Sequence, residues 1–231
     1  MDRFIVKEVS RAERNAFLDH GVGFAYFAYV ESRLEDEDGV SGTCLAKILG
    51  MYQVATRSPM ESTETKLDFL VMENVFYGRD VAAGATRADE VPPPWRTASA
   101  TTPAVLLDEN LMEVLATDPI LVTERSKRAL DAALRRDAAF LSSLGVMDYS
   151  LLAGVDRRAD ELVVGVVDYL RQYTWDKQLE TYVKQSGLVG GGGPGKTPTV
   201  ISPGQYEKRF ATAMRRYFVC VPDDDDDREG N

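Results

Sequence analysis

The sequence predicts an α+β chain in two parts, a sheet-based part over residues 1–80 and a second part over residues 105–221. Three observations lead there. The first 80 residues hold segments that alternate apolar and polar side chains with the period of a strand. Residues 81–104 lose large apolar residues and read as a flexible linker rich in Ala, Pro, Ser and Thr, the natural boundary between two lobes. Beyond it lie helical periodicity and one apolar hairpin.

Within the first part, RFIVKEV (residues 3–9) reads as a strand with Ile5, Lys7 and Val9 on one face. Ser10 is a candidate N-cap, with Glu13 at capping-box spacing, and a helix runs to about Asp19. His20 then stands at a helix end. Residues 31–42 are polar and loop-like. LAKILGMYQVA and KLDFLVMENVFY form two strand-rich segments joined by an exposed link.

In the second part, helices are expected from Asp108 to about Ala116 and from Thr123 to about Leu144. The segment SPGQYEKRFATAMRRYFVCV forms a last helix, with Tyr206, Phe210, Met214 and Tyr217 along one face. Residues 222–231, with five consecutive Asp, form a disordered acidic tail.

Composition excludes several classes of function. The chain has 231 residues, 44% hydrophobic and 28% charged, as expected of a folded domain. Its net charge of −10 argues against a nucleic-acid partner. No apolar run approaches the roughly 20 residues of a membrane span, so membrane contact is peripheral. Cys44 and Cys220 lack zinc-site spacing and read as buried, reduced thiols. With one histidine in the chain, the chemistry must rest on Asp, Glu, Lys and backbone groups.

The most informative stretch is MDYSLLAGVDRRADELVVGVVDY, residues 147–169. Two apolar runs flank DRRAD, a turn in composition. A hairpin centred on Arg158 sets Asp148 opposite Asp168, with Cα atoms about 4.5–5.5 Å apart. Two carboxylates held so close raise one pKa or demand a cation, and Mg²⁺ shared with substrate phosphates meets that demand. Solvated strand-end aspartates are the alternative. In phosphoryl transfer, one Asp orients the attacking hydroxyl, the other holds the metal, and a lysine binds the nucleotide phosphates. Lys7 qualifies, because a lysine on an apolar strand face needs an anion; an edge-strand lysine that blocks aggregation is the competing account. GGGGPGKT, residues 190–197, matches a phosphate-loop pattern, but no strand precedes it and no helix opens directly after it.

MDYSLL, VVDYLRQYTWDK, LVMENVFYGR, LAKILGMYQV and VLLDEN resemble the phosphatidylinositol phosphate kinase family. LAKILG, WDKQLE, GKTPTVISPGQYEKRF and FVCVPD are similar to its phosphatidylinositol-3-phosphate 5-kinase (PIKfyve) branch. The resemblance covers about residues 3–80 and 105–222. It implies a two-lobed, protein-kinase-like fold with an antiparallel-sheet N-lobe and ATP and Mg²⁺ as cofactors. By resemblance Lys7 is the nucleotide lysine, Asp148 the catalytic Asp and Asp168 the metal-binding Asp. Met72, Glu73, Asn74 and Val75 match the hinge whose backbone meets adenine. Residues 170–205 match the activation loop, where Lys184 and Lys196 would meet the inositol phosphate or serve as ordinary loop lysines.

The implied activity is transfer of the ATP γ-phosphate to the 5-hydroxyl of phosphatidylinositol 3-phosphate. The implied location is cytoplasmic, peripheral on endosomal or vacuolar membrane, with a scaffold or regulatory protein as a further partner. Two departures stand out. The family's glycine-rich strand pair would precede Lys7, which here is six residues from Met1, and its DLKGS motif is replaced by DVAAGATRADEV. They set a second expectation beside the first: a truncated or degenerate kinase domain that binds lipid or protein without chemistry.

Overall fold

The computed structural model describes residues 2–34, 42–57, 64–81, 86–88, 119–173 and 201–223. Its secondary structure is mixed α/β. The first sheet has the order β1–β3–β2 and is antiparallel throughout, with β1 at Phe4–Val9, β2 at Ile48–Arg57 and β3 at Glu64–Glu73. Helices α1 (Arg11–Leu18) and α2 (Val22–Leu34) lie between β1 and β2 in the chain. The second sheet has the order β4–β6–β7, with β4 at Thr86–Ala88, β6 at Ser150–Asp156 and β7 at Glu161–Val167. A short parallel pair joins β5 (Ile120–Thr123) to β8 (Phe218–Val221), beside helices α3 (Glu124–Ser143) and α4 (Pro203–Tyr217).

Local chemistry sets the helix starts. Ser10 caps α1 through a complete capping box: its backbone N–H donates to Glu13 Oε2 at 2.8 Å and Glu13 N–H donates to Ser10 Oγ at 3.2 Å. Thr123 caps α3 by accepting from the Ser126 amide, and Ser202 with Gln205 forms a second capping box before Pro203.

A connecting segment ties the two sheets together. Val166 N–H donates to Cys44 O at 2.6 Å and Ala46 N–H donates to Val166 O at 2.9 Å, so residues 44–46 run along β7 before entering β2. The Tyr26 and Tyr169 hydroxyls both donate to Ala46 O, and their rings stack with centroids 5.7 Å apart. Asp137 of α3, 1% exposed, accepts from Tyr29 Oη at 2.7 Å, Thr43 Oγ1 at 2.8 Å and Cys44 N at 2.7 Å. A single buried carboxylate thus pins α2 and the connecting segment to α3.

The structure corrects five sequence expectations. The hairpin register is shifted by one residue: Ser150 faces Val167 and Asp156 faces Glu161, so Asp148 and Asp168 are not directly opposite. The turn is Arg157–Asp160, because Asp156 stays in the ladder while its carboxylate accepts from the Arg158 and Asp80 amides. The polar stretch beginning at residue 31 is helical as far as Leu34, where the Arg33 guanidinium lies 5.6 Å from the Tyr29 ring centroid. The last helix stops at Tyr217, and FVCV becomes β8, since parallel pairing with β5 satisfies its backbone. Cys220 is exposed rather than buried.

Within the stretch expected to be a linker, Val81 bridges to Asp156 and β4 pairs with β6, Thr86 facing Ala153. The rest of it, the helix expected from Asp108, the loop at 190–197 and the tail beyond Asp223 lie outside the described residues.

Candidate active site

Asp148 and Asp168 flank the open end of the β6–β7 hairpin. Both adopt positive φ, 62° and 61°, a conformation that Asp tolerates better than most residues. The neighbours explain why. Met147 and Tyr149 are buried on either side of Asp148, and Tyr169 and Leu170 are buried after Asp168. Tyr149 is clamped by α4, its ring edge-on to Tyr206 and Phe210 with centroids 4.8 Å away in each case. The buried anchors fix the backbone, and the left-handed turn leaves each carboxylate half-buried, with 26% and 24% exposure. Strain of this kind gathers at functional sites.

Lys7 reaches this end of the hairpin from the edge strand β1. Its Nζ donates to Asp168 Oδ1 at 2.8 Å and lies 3.8 Å from Glu13 Oε1. The anion demanded by a lysine on this strand face is therefore Asp168, joined by Glu13. Sequence reasoning missed Glu13, although the capping box had already singled it out. One carboxylate does both jobs: Oε2 caps α1 and Oε1 faces Lys7. Lys7, Asp168, Ile48, Leu70, Met72 and Tyr169 line one small pocket. Leu170 borders both this pocket and a cleft of about 560 Å³ along α1, lined by Ser10, Glu13, Asn15, His20, Arg171 and Gln172.

The segment Met72–Val75 borders the same region. Met72, at the end of β3, is 5% exposed and lines the small pocket. Two of its amides are already engaged: Glu73 N–H donates to Lys47 O at 2.9 Å and Asn74 N–H donates to Arg3 O at 3.2 Å. Val75 sits directly on β7. A Cβ at Gly165 would stand 2.6 Å from Val75 Cγ2, so only glycine allows the approach.

Arg171 was also missed. Its Nη1 lies 3.3 Å from Asp148 Oδ2. Lys184 and Lys196 lie outside the described residues. Among the described residues no three His, Cys, Asp or Glu side chains gather as a metal cage. Asp168 and Asp148, with side chains 24% and 26% exposed, are the carboxylates that could hold a hard cation that completes its shell with phosphate and water.

Comparison with known proteins identifies the family. The family model described as Phosphatidylinositol-4-phosphate 5-Kinase matches residues 2–163 and 158–217. The chain is 48% identical over 227 residues to 1-phosphatidylinositol-3-phosphate 5-kinase FAB1B of Arabidopsis thaliana, covering 96% of this chain and 12% of that protein. It is 44% identical over 227 residues to the Homo sapiens 1-phosphatidylinositol 3-phosphate 5-kinase, covering 96% and 10%. Against the FAB1 kinase of Saccharomyces cerevisiae the identity is 42% over 228 residues, covering 96% and 10%. The chain spans about a tenth of the length of these relatives. With a strand lysine, two left-handed aspartates and a family match along nearly its whole length, the chain belongs to the phosphatidylinositol-4-phosphate 5-kinase family.

Proposed function

We propose that the chain is an ATP-dependent lipid kinase domain that transfers the γ-phosphate to the 5-hydroxyl of phosphatidylinositol 3-phosphate. The observation that carries this reading is the 2.8 Å contact between Lys7 of an edge strand and Asp168 at the end of the β6–β7 hairpin. It unites the two charge types that phosphoryl transfer requires. Relatives named as 1-phosphatidylinositol 3-phosphate 5-kinases supply the substrate and the position of transfer.

In this reading residues 1–80 are a sheet-based N-lobe, 81–104 a linker and 105–221 a C-lobe, with ATP in the cleft between lobes. Lys7 binds the α- and β-phosphates, Glu13 aims it, and Met72–Val75 present backbone to adenine. Asp168 would hold Mg²⁺, which when bound neutralises charge on the phosphates. Asp148 orients the attacking hydroxyl and accepts its proton. Lys184 and Lys196 would meet the headgroup. No helix among the described residues is long and apolar enough to cross a membrane. We place the domain peripherally, on endosomal or vacuolar membrane, held there with help from other domains or partners.

The test is nucleotide binding set against transfer. Asp168→Asn abolishes Mg²⁺-dependent nucleotide binding, whereas Asp148→Asn spares binding and removes transfer. Equal and mild effects of the two substitutions would point to solvated strand-end aspartates instead.

A further inference from the structure

We propose that Arg171 receives the phosphate already present on the lipid headgroup and so distinguishes a phosphorylated inositol lipid from an unphosphorylated one. The inference rests on the reading of Asp148 as the group that orients the attacking hydroxyl.

The backbone around Arg171 is pinned. Residues after Asp168 return antiparallel to those before Asp148: Met147 N–H donates to Arg171 O at 3.1 Å, Tyr173 N–H donates to Gly145 O at 2.7 Å, and Val146 bridges to Gln172. The Gln172 side-chain amide adds a bond to Leu144 O at 3.0 Å. Arg171 is thus held beside Asp148 and is one of the residues that line the 560 Å³ cleft. The side chain is 56% exposed, so its pairing with Asp148 is screened by water and contributes little to stability.

That combination, a fixed backbone and a weakly engaged guanidinium, suits exchange between anions. Arg presents a planar fork of five donors that matches phosphate in a bidentate way, while Nη1 lies 3.3 Å from Asp148 Oδ2. A phosphate dianion with two short bonds outcompetes one 3.3 Å contact to a carboxylate. The hydroxyl that attacks and the phosphate already present belong to one inositol ring. A group that holds the phosphate beside Asp148 therefore also delivers the hydroxyl to Asp148. The same phosphate chemistry could come from the nucleotide, so the experiment separates the two sources.

The 231-residue chain is assayed with ATP and Mg²⁺ on phosphatidylcholine vesicles that carry either phosphatidylinositol 3-phosphate or phosphatidylinositol. Arg171→Gln raises KM for the 3-phosphate lipid by about 10- to 100-fold, as expected for loss of a charge-assisted contact. KM for ATP and the rate on phosphatidylinositol stay as they were, so the preference for phosphorylated lipid collapses. Arg171→Lys falls between, since it keeps charge but loses the fork. A rise in KM for ATP instead would assign the arginine to the nucleotide. A fall in kcat with both KM values unchanged would leave it as a clamp on Asp148; either result overturns the proposal. Calorimetric titration with soluble inositol 1,3-bisphosphate gives a readout free of turnover. Binding weakens about 10-fold in Arg171→Gln, and equal binding by both chains, or none by the unsubstituted chain, overturns the proposal. If Asp148→Asn transfers phosphate normally, the reading of Asp148 fails, and the titration still decides Arg171.

Discussion

Lys7 and Asp168, 161 positions apart in sequence, meet at 2.8 Å across the edge of the first sheet and the end of the β6–β7 hairpin. The pair is not a stability device. With side chains 38% and 24% exposed, its worth to folding is about 0–1 kcal/mol. Lys7→Met should therefore leave the thermal midpoint almost unchanged. Transfer should fall by about a hundred- to thousand-fold, as when an oriented electrostatic donor is removed from a phosphate or oxyanion site. Calorimetric scans beside turnover assays check this; a large loss of stability with activity kept would contradict it.

Glu13 offers a way to separate capping from catalysis. Glu13→Gln keeps a side-chain acceptor for the Ser10 amide, so α1 should lose only a few tenths of a kcal/mol. It removes the negative charge 3.8 Å from Lys7, and nucleotide affinity should drop several-fold, on the order of the factor that 1 kcal/mol represents. Glu13→Ala loses both and should cost about 1 kcal/mol of stability as well. Nucleotide titrations and denaturant midpoints on the same two variants distinguish the effects. Unchanged nucleotide affinity in Glu13→Gln would show that the Glu13 carboxylate serves only the cap.

Two buried aspartates should give opposite pH dependence. Burial raises the Asp137 pKa above the usual carboxylate range, against the pull of donors from Tyr29, Thr43 and Cys44. Its contribution is complete below the unfolded pKa and is lost as pH rises through the raised folded value. Asp156 is lowered, first by the Arg158 amide and then by the Asp80 amide and Arg79, which outweigh burial. Its contribution is present above the unfolded pKa and disappears as pH falls through the lowered value. From about pH 3 to 7, the advantage of the unsubstituted chain should shrink with rising pH relative to Asp137→Asn. Relative to Asp156→Asn it should grow. Parallel trends in thermal midpoints would refute the assignment.

Tyr149 carries a liability beside the candidate base. Its side chain is 1% exposed, and among the described residues its hydroxyl meets no hydrogen-bonding group. Removing an unsatisfied buried polar atom is neutral or favourable, so Tyr149→Phe should leave stability unchanged or raise it by about 1 kcal/mol. The ring contacts with Tyr206 and Phe210 survive the change. A loss beyond about 1 kcal/mol in denaturant titrations would mean that the hydroxyl has a partner.

Much of the fold was legible because its cues are local. The capping box at Ser10 and Glu13, the alternation in β1 and the turn chemistry between Asp156 and Glu161 each depend on neighbours in sequence. What escaped depends on distant partners. The one-residue register shift follows from Asp80 and Arg79 holding Asp156 in the ladder, and no pattern within the hairpin encodes them. The strand β8 looked helical until its pairing with β5, nearly a hundred positions earlier, was known. Nothing in its own helix marks Asp137, because its three donors come from α2 and the connecting segment. At the candidate site, residue types and spacing pointed to the two aspartates and to Lys7, and the resemblance supplied which aspartate takes which role. Glu13 and Arg171 needed coordinates, since nothing in their own segments shows which carboxylate or lysine they face.

The most direct measurement is phosphate transfer from labelled ATP to vesicles of phosphatidylinositol 3-phosphate, run beside the 4- and 5-phosphate lipids and repeated with Asp148→Asn and Asp168→Asn. The account predicts transfer to the 5-hydroxyl of the 3-phosphate lipid, in preference to the other two, and its loss in both variants. Preference for another lipid, or transfer that survives loss of either aspartate, would contradict it. So would retained vesicle binding with no transfer by the unsubstituted chain, which would make this domain a binding module.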